Sequence, residues 1–388
     1  MHICFLCNEY PPASHGGIGT VTQTLARGLR ARRHEVSVVG CYSDGRAGVE
    51  NDEGVRVVRL RHAVKRGTGF VVNGFRLRRE LSRIQAASPI DILEAAEGGL
   101  AMVARRFPAT TVIRMNGGHH FFSVMLGRKP RPWRGWLERR SFRRADALCA
   151  VSRFVAESTR KLLGVNGLPI EILPNPVDAS MFAPRAEEVS ESGLILFVGT
   201  LCEKKGIRQL IQAMAQIVAA VPHARLLVVG RDTRDPHDGG PFSAALKRLV
   251  PDELQGRITF AGPVAHSAIP DVLARASVCV YPSHMEALPL AWLEAMAMGK
   301  ALVASRTGPG PELVEDGLSG LLCDPHDPDS IADRVIAVLK DAELRRRLGV
   351  AARRRVVVQF STDAVMSQVE DFYSRALASR RSGSRAQS

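Results

Sequence analysis

The 388-residue sequence predicts an α/β protein of two doubly wound domains, on three observations. Strand-length apolar runs alternate with helical patterns from the N-terminus onward. The alternation starts afresh after residue 190. Between the two series lies a proline-rich and then acidic stretch, ILPNPVDASMFAPRAEEVSESG, of the composition expected for a linker.

The first series of strands is ICFLC (3–7), EVSVV (35–39), VRVVRL (55–60), DILEA (91–95), TVIRM (111–115) and ALCAV (147–151). The second is LILFVG (194–199), ARLLVVG (224–230), ITFAG (258–262), VCVYP (278–282) and ALVAS (301–305). Runs this dense in Val, Ile and Leu, with helices such as TVTQTLARGLRARR and IRQLIQAMAQIVAAV between them, describe parallel sheets covered on both faces. Open parallel sheets bind ligands at the carboxyl ends of their strands, so the loops there are the place to look for chemistry.

Composition narrows the function classes. Hydrophobic residues at 45% and charged residues at 24% describe an ordinary globular chain. The opening MHICFLCNEYPP lacks the basic flank and cleavage site of a secretory leader, and no run is apolar enough to span a bilayer; the expected location is the cytoplasm. Cys4 and Cys7 point to opposite faces of a strand, which disfavours a shared metal and makes buried thiols the plain reading. The net charge of +14 favours acidic partners. Much of it sits in RKPRPWRGWLERRSFRR (128–144), eight basic residues and one acid interleaved with Trp133, Trp136 and Phe142. That segment reads either as a solvated basic helix with its tryptophans packed inward, or as a surface for anionic lipid headgroups. No nucleic-acid-binding signature accompanies the charge.

Four loops carry candidate chemistry. In PSHMEALPLAWLEAMAMGK, Glu286 follows a strand and Glu294 lies inside a helix expected from about Leu288 to Met298. Backbone N–H groups near Leu288 to Ala291 would open that helix and attract phosphate. One carboxylate at each end and amides between would suit a polyhydroxylated phosphate ligand; a capping and a solvated glutamate is the bland alternative. In LFVGTLCEKKGIRQL, Lys204 and Lys205 follow a strand and precede a helix. They are ordinary surface charge unless a phosphate docks beside them, and the spacing is not that of a P-loop. In NEYPPASHGGIGTVTQ, eight residues separate the strand from Gly16, Gly17 and Gly19, and the third glycine of a dinucleotide fingerprint would fall at Thr22, so a dehydrogenase reading is weak. In ALVASRTGPGPELVEDGLSGLL, a Gly/Pro turn leads to Glu312, Glu315 and Asp316. The carboxylates of DPD (327–329) sit where a helix cap belongs.

Taken together, these segments resemble the retaining, nucleotide-sugar-dependent glycosyltransferases of the GT-B fold, family 4, the "glycosyl transferases group 1" type. The matching elements are PP…GGIG, ADALCAVS, ILPNPVD, FVGTLCEKKG, FAGPV…IPDVLARASVCVYPS, ME followed by EAMAMGKALVAS, and PELVEDGLSGLL, in the family's order over nearly the whole chain. The resemblance implies two Rossmann-like domains facing across a cleft. They are an acceptor-binding domain over 1–175, a linker over 176–192 and a donor-binding domain over 193–360. A helix over 361–378 returns to the first domain, and 379–388 form a disordered tail. It further implies transfer from a UDP-, GDP- or other nucleotide sugar to a glycan, lipid-linked or small-molecule acceptor, with no cofactor and no metal.

Position by position, Lys205 would contact the donor diphosphate with Lys204 beside it. Glu286 would hold the transferred sugar and Glu294 the ribose. The backbone from Ala287 through Leu288, Pro289 and Leu290 would hold phosphate, and Gly17, Gly199 and Thr200 would border the donor. Gly16, Glu97 and His119 would face the acceptor. Thr200 stands where the family has arginine. Asn116-Gly117 stands where it has a histidine, leaving Asn116, His119 and His120 as candidates for that role, and Gly308-Pro309-Gly310-Pro311 replaces its Gly-Gly turn. A nucleotide-sugar epimerase or hydrolase, or a non-catalytic sugar-nucleotide-binding protein, are the rival readings.

Overall fold

The computed structural model describes residues 1–13, 16–43, 45–63, 69–104, 107–165, 167–185, 190–236 and 238–385. Its strands are β1 (His2–Leu6), β2 (Glu35–Tyr42), β3 (Gly48–Asp52), β4 (Val55–Arg61), β5 (Ile92–Ala95), β6 (Thr110–Met115), β7 (Ala147–Ala150) and β8 (Ile170–Ile172). They continue with β9 (Leu194–Val198), β10 (Arg225–Val229), β11 (Ile258–Gly262), β12 (Val278–Tyr281), β13 (Leu302–Ser305) and β14 (Leu321–Cys323). The helices are α1 (Gly17–Ala31), α2 (Gly69–Ala87), α3 (His119–Met125), α4 (Pro132–Phe142), α5 (Arg153–Leu163) and α6 (Ile207–Ala220). After them come α7 (Phe242–Lys247), α8 (Ile269–Ala274), α9 (Leu290–Ala297), α10 (Gly310–Leu313), α11 (Pro328–Lys340), α12 (Ala342–Gln359) and α13 (Thr362–Arg385).

The chain divides into two compact units, Met1–Pro176 with Thr362–Ser388, and Val177–Ser361. The first holds an eight-stranded sheet in the order β3-β4-β2-β1-β5-β6-β7-β8 and the second a six-stranded sheet in the order β11-β10-β9-β12-β13-β14. All pairings are parallel except β3 with β4. In each sheet the first strand of the series lies in the middle and the chain runs outward to one side and then to the other. The order reverses between β1 and β5 in the first unit and between β9 and β12 in the second. Loops leaving the carboxyl ends of those two pairs diverge, which opens a crevice.

The central strands are buried because they are almost wholly apolar: β9 reads LILFV and β13 reads LVAS, with every residue buried and the Ser305 hydroxyl hydrogen-bonded to Thr307. The edge strands β3, β8 and β14 escaped the sequence reading. GVEND, in β3, is mostly exposed and polar, so no apolar run marks it. Local stop and start signals behave as their chemistry dictates. Ser152 caps α5 by accepting from the Val155 N–H, and Gly164 ends it in the left-handed conformation.

The returning helix α13 is fixed to the first unit by a buried polar network. Arg114 Nε donates to Glu94 at 2.8 Å, and Tyr373 Oη of α13 donates to the same carboxylate at 2.7 Å. Glu370 accepts from Arg32 and pairs with His34, both at 2.7 Å. The tail departs from the expected disorder beginning at 379. The helix runs on to Arg385, because Arg380 donates to the Phe107 carbonyl at 2.7 Å and so ties this turn to the body. Of the expected linker, 186–189 lie outside the described residues, as do 386–388 of the tail. All seven cysteines are free thiols; burial pushes Cys4 up to about 12 and Cys7 to about 11.

Candidate active site

In the second unit, three strand-end loops meet at the switch point. β9 runs through Gly199 and Thr200 into a single 3-10 turn, Glu203–Lys205, closed by Gly206 at φ +68. A Cβ on Gly206 would sit 1.8 Å from the Pro282 carbonyl oxygen, so only glycine lets the β9 loop lie against the β12 loop. His284 stitches the same loops together: its N–H donates to Lys204 O at 2.8 Å, and Thr307 Oγ1 donates to its carbonyl at 3.1 Å. Arg208 holds the lysine turn from behind, donating to Glu203 at 2.7 Å and to Asp235 at 2.8 Å.

This close approach brings together residues about 80 positions apart in the sequence. Lys205 Nζ lies 2.5 Å from Glu286 Oε1, and Lys204 Nζ lies 4.0 Å from Oε2. Burial works against both charges. The Lys205 ammonium, and Lys204 after it, nevertheless hold Glu286 below the usual carboxylate range, and Glu286 in turn raises Lys205. α9 then starts at Leu290 with Pro289 as its cap residue, not at Leu288 as the sequence suggested. Proline carries no N–H, so Pro289 offers no amide to an anion; the N–H groups of the first turn begin at Leu290. Glu294, on the second turn, is buried, and its Oε1 lies 2.8 Å from His266 Nε2. The sequence reading missed His266.

The Gly/Pro turn behaves as expected. Gly308 has φ +61, and a Cβ on Gly310 would meet the Ser305 carbonyl at 2.0 Å. Glu315 pairs with Arg355 of α12. Asp327 caps α11, its side chain accepting from the Asp329 N–H at 3.0 Å.

In the first unit, the glycine loop is occupied by a carboxylate of the chain itself. Gly16 N–H and Gly19 N–H, at the start of α1, donate to Glu9 at 3.3 and 3.0 Å. The nearby loop after β6 wraps two more buried carboxylates. Asn116 N–H donates to Glu97 at 2.6 Å, and the N–H groups of His119 and His120 donate to Glu138 at 2.6 and 3.2 Å. Gly118 lies between them, where a Cβ would meet Glu138 Oε1 at 2.5 Å and Glu97 at 3.1 Å. Burial pushes Glu97 up to about 7, and Glu138 is likewise raised by burial.

Ile18, Glu97, Gly117, His119, Trp133 and Glu138 line a cavity of about 440 Å³. The two histidines part company there. His119 lines the cavity, its Nε2 accepting from the Arg131 N–H at 3.0 Å, whereas His120 packs under Gly135 of α4. Burial lowers both from the usual histidine value, helped by Arg134 and Arg131 at His119 and by Arg139 at His120. Asn116 Nδ2 donates to the Arg114 carbonyl at 3.0 Å. In the basic segment, α4 exposes Trp133 and Trp136 by 49% and 48% rather than packing them fully inward. Trp133 meets Phe70 edge-on at 4.8 Å, beside Val71 and Phe75 of α2, which are exposed by 63% and 68%.

A family profile described as "Glycosyltransferase Family 4" matches residues 15–181, and one described as "Glycosyl transferases group 1" matches residues 182–355. The chain belongs to the GT-B glycosyltransferases of group 1. An N-acetyl-alpha-D-glucosaminyl L-malate synthase of Bacillus anthracis is 31% identical over 247 residues, 62% of this chain and 62% of that protein. A glycogen synthase of Mycobacterium tuberculosis is 28% identical over 96% of this chain and 94% of its own length. Among solved structures, sucrose-phosphate synthase from Thermosynechococcus elongatus superposes with a TM-score of 0.83 at 22% identity, covering 97% of this chain and 99% of that one, a likeness of fold. As a glycosyltransferase of this group, the chain carries its lysine pair and both glutamates in the unit matched by the group 1 profile, residues 182–355. Among the described residues, no helix is long and apolar enough to cross a membrane.

Proposed function

We propose that the chain moves a sugar from a nucleoside-diphosphate sugar to a glycan, lipid-linked or small-molecule acceptor, with retention and without a metal ion. The observation that carries this reading is the Lys205–Glu286 pair at the β9/β12 switch point, 2.5 Å apart, with α9 starting four residues after Glu286. In the transfer, the bond from the sugar's C1 to the diphosphate oxygen breaks, the acceptor oxygen bonds to the same face of C1, and the acceptor's proton leaves on the diphosphate. Negative charge builds on the leaving group. Lys205, with Lys204 beside it, and the first-turn amides of α9 from Leu290 onward meet that charge as preorganised cation and dipoles. Glu286 takes hydroxyls of the transferred sugar and Glu294 those of the ribose. Gly17, Gly199 and Thr200 border the donor, and Gly16, Glu97 and His119 serve the acceptor side.

A panel of UDP-, GDP- and ADP-sugars, read as donor hydrolysis and as protection against melting, tests the reading. One donor should stand out, and its turnover should survive EDTA. Complete loss in EDTA, restored by Mg²⁺ or Mn²⁺, would overturn the metal-free mechanism.

For the acceptor we favour a molecule presented at an anionic membrane surface. The support is the outward tryptophan pair of α4, continuous through Phe70 with the exposed Val71 and Phe75 of α2 and flanked by the arginines of 128–144. Apolar side chains between basic ones suit the headgroup boundary, at about 1 kcal/mol per basic residue. Liposome co-sedimentation should require anionic lipid, fall with salt, and weaken when Arg139, Arg140, Arg143 and Arg144 are neutralised. Equal binding to neutral and anionic vesicles, or none to either, points to a soluble acceptor.

A further inference from the structure

Glu294 is held by a neighbour that no local sequence pattern announces. His266 opens the 3-10 turn before α8, and its Nε2 reaches Glu294 Oε1 at 2.8 Å. The imidazole is half exposed, with a side-chain accessibility of 51% against 10% for Glu294, so it covers the carboxylate from the solvent side. Its ring stands 5.5 Å from that of Phe182. That aromatic belongs to the segment after Asp178, whose carboxylate is fixed by Ser180 at 2.5 Å and by the Met181 N–H at 2.9 Å.

The charged surroundings are specific. Glu294 of α9 and Asp178 both face the ring and favour its protonated form. The Arg353 guanidinium of α12 is turned to backbone, donating to the carbonyls of Phe182 and Ala297. Tyr281, at the end of β12, stays a neutral phenol, held up first by burial and then by Cys279 and Glu294. The hydrogen bond to Glu294 raises His266 above its ordinary value, outweighing burial. A buried carboxylate with a cation on one oxygen keeps its charge at smaller desolvation cost, and it loses the freedom to rotate that oxygen away.

We propose that His266 is a positioning residue for the nucleotide: its imidazolium fixes one oxygen of Glu294 so that the other is presented to the ribose hydroxyls, and donor affinity falls as this histidine loses its proton. The inference rests on the donor reading of Glu294 given above. It makes affinity a property of a pair: full strength belongs to the protonated histidine and fades as the pH rises past the ordinary histidine range of about 6.5. The terminal phosphate of a nucleoside diphosphate gains charge over a neighbouring range, near about 6, and pushes affinity the opposite way. The diagnostic quantity is therefore the difference between wild type and variant, not the raw profile.

Calorimetric titration of UDP, GDP and ADP into the full chain at about pH 6 and about pH 8.5 tests it. With whichever diphosphate binds, His266→Ala should weaken affinity about tenfold at the lower pH, the scale of one charge-assisted hydrogen bond, and little at the higher. His266→Gln, which keeps an N–H donor without a titratable charge, should recover part of the loss and show no histidine contribution to the pH profile. In a Glu294→Gln background, removing His266 should change little. Wild-type affinity, tighter binding, or an unchanged pH difference in His266→Ala would overturn the proposal, tighter binding meaning that the imidazole blocks the carboxylate. If no diphosphate binds wild type, or if Glu294→Gln binds normally, the donor reading of Glu294 itself falls and this inference falls with it. Normal weakening by Glu294→Gln alongside a silent His266→Ala sinks this inference alone.

Discussion

At the switch point of the second unit, between β9 and β12, a lysine and a glutamate meet at 2.5 Å. At that of the first unit, between β1 and β5, the strand-end loops carry Glu9 and Glu97 and no lysine. Two sheets with the same winding thus present different electrostatics at equivalent places, carboxylates matched by lysines in one and by backbone amides in the other. In the second unit the carboxylate is matched by cations, and the first turn of α9 begins beyond it, an arrangement that welcomes a further anion. In the first unit the Gly16 and Gly19 amides at the start of α1 donate to Glu9, and the His119 and His120 amides at the start of α3 donate to Glu138. A phosphate arriving there would have to displace a carboxylate. Fold alone therefore does not distinguish the two crevices; the side chains grafted on each do. The dinucleotide reading of the glycine loop weakens further on the same ground, since its amides hold Glu9 and not a free anion site.

The sharpest way to break this contrast is to remove the cation. Lys205→Ala should lower turnover about 10²- to 10³-fold, the loss typical of one preorganised leaving-group contact. It also leaves Glu286 buried beside only Lys204, so melting temperature should fall with it. Lys205→Arg serves as the control that keeps charge. A Lys205→Ala enzyme with near-normal turnover would mean that the diphosphate is stabilised elsewhere.

Eleven of the fourteen described strands and the four chemical loops were legible because each is a local pattern: an apolar run, a glycine at a turn, a charged pair after a strand. Glu9, Glu138 and His266 were not legible as partners. Each acts across the fold, ten residues away for Glu9 and Gly19 and twenty-eight for His266 and Glu294, and nothing in their own neighbourhoods marks them. Gly206 shows the boundary between the two cases. Its place before a helix was visible, but its need to be glycine comes from the Pro282 carbonyl of another loop. The start of α9 was misplaced by two residues for a related reason. Leu288 fits a helix by propensity, and the proline that follows moves the first helical residue to Leu290.

A second, smaller effect sharpens the carboxylate side of the comparison. Glu97 is pushed up to about 7 in the fold, against about 4.3 for a free glutamate. Between those values the folded chain holds a proton that the unfolded chain has released, so stability falls as pH rises through this window and levels off above about 7. The slope is at most about 1.4 kcal/mol per pH unit for a single group. Glu97→Gln should flatten that segment of a stability-versus-pH curve measured by chemical denaturation. An unchanged slope in the variant would place the titration on another group, with Glu138 the next to test.

The smallest expected effect separates capping from chemistry at the 327–329 carboxylates. Asp327 accepts the Asp329 N–H at 3.0 Å at the start of α11, so its carboxylate satisfies one of the helix's orphan donors. Removing such a cap costs about 1 kcal/mol. In a unit of this size that corresponds to a drop of about 2–4 °C in melting temperature. Asp327→Ala should show that drop and leave donor turnover, with and without EDTA, at the wild-type level. Asp327→Asn, which keeps an accepting oxygen at the same place, should recover most of the lost stability because asparagine caps as well as aspartate. If Asp327→Ala instead melts normally and loses turnover, and Asp327→Asn loses it too, the charge rather than the cap matters. The metal-free assignment to Lys205 and the α9 amides would then give way to a cation held by these carboxylates.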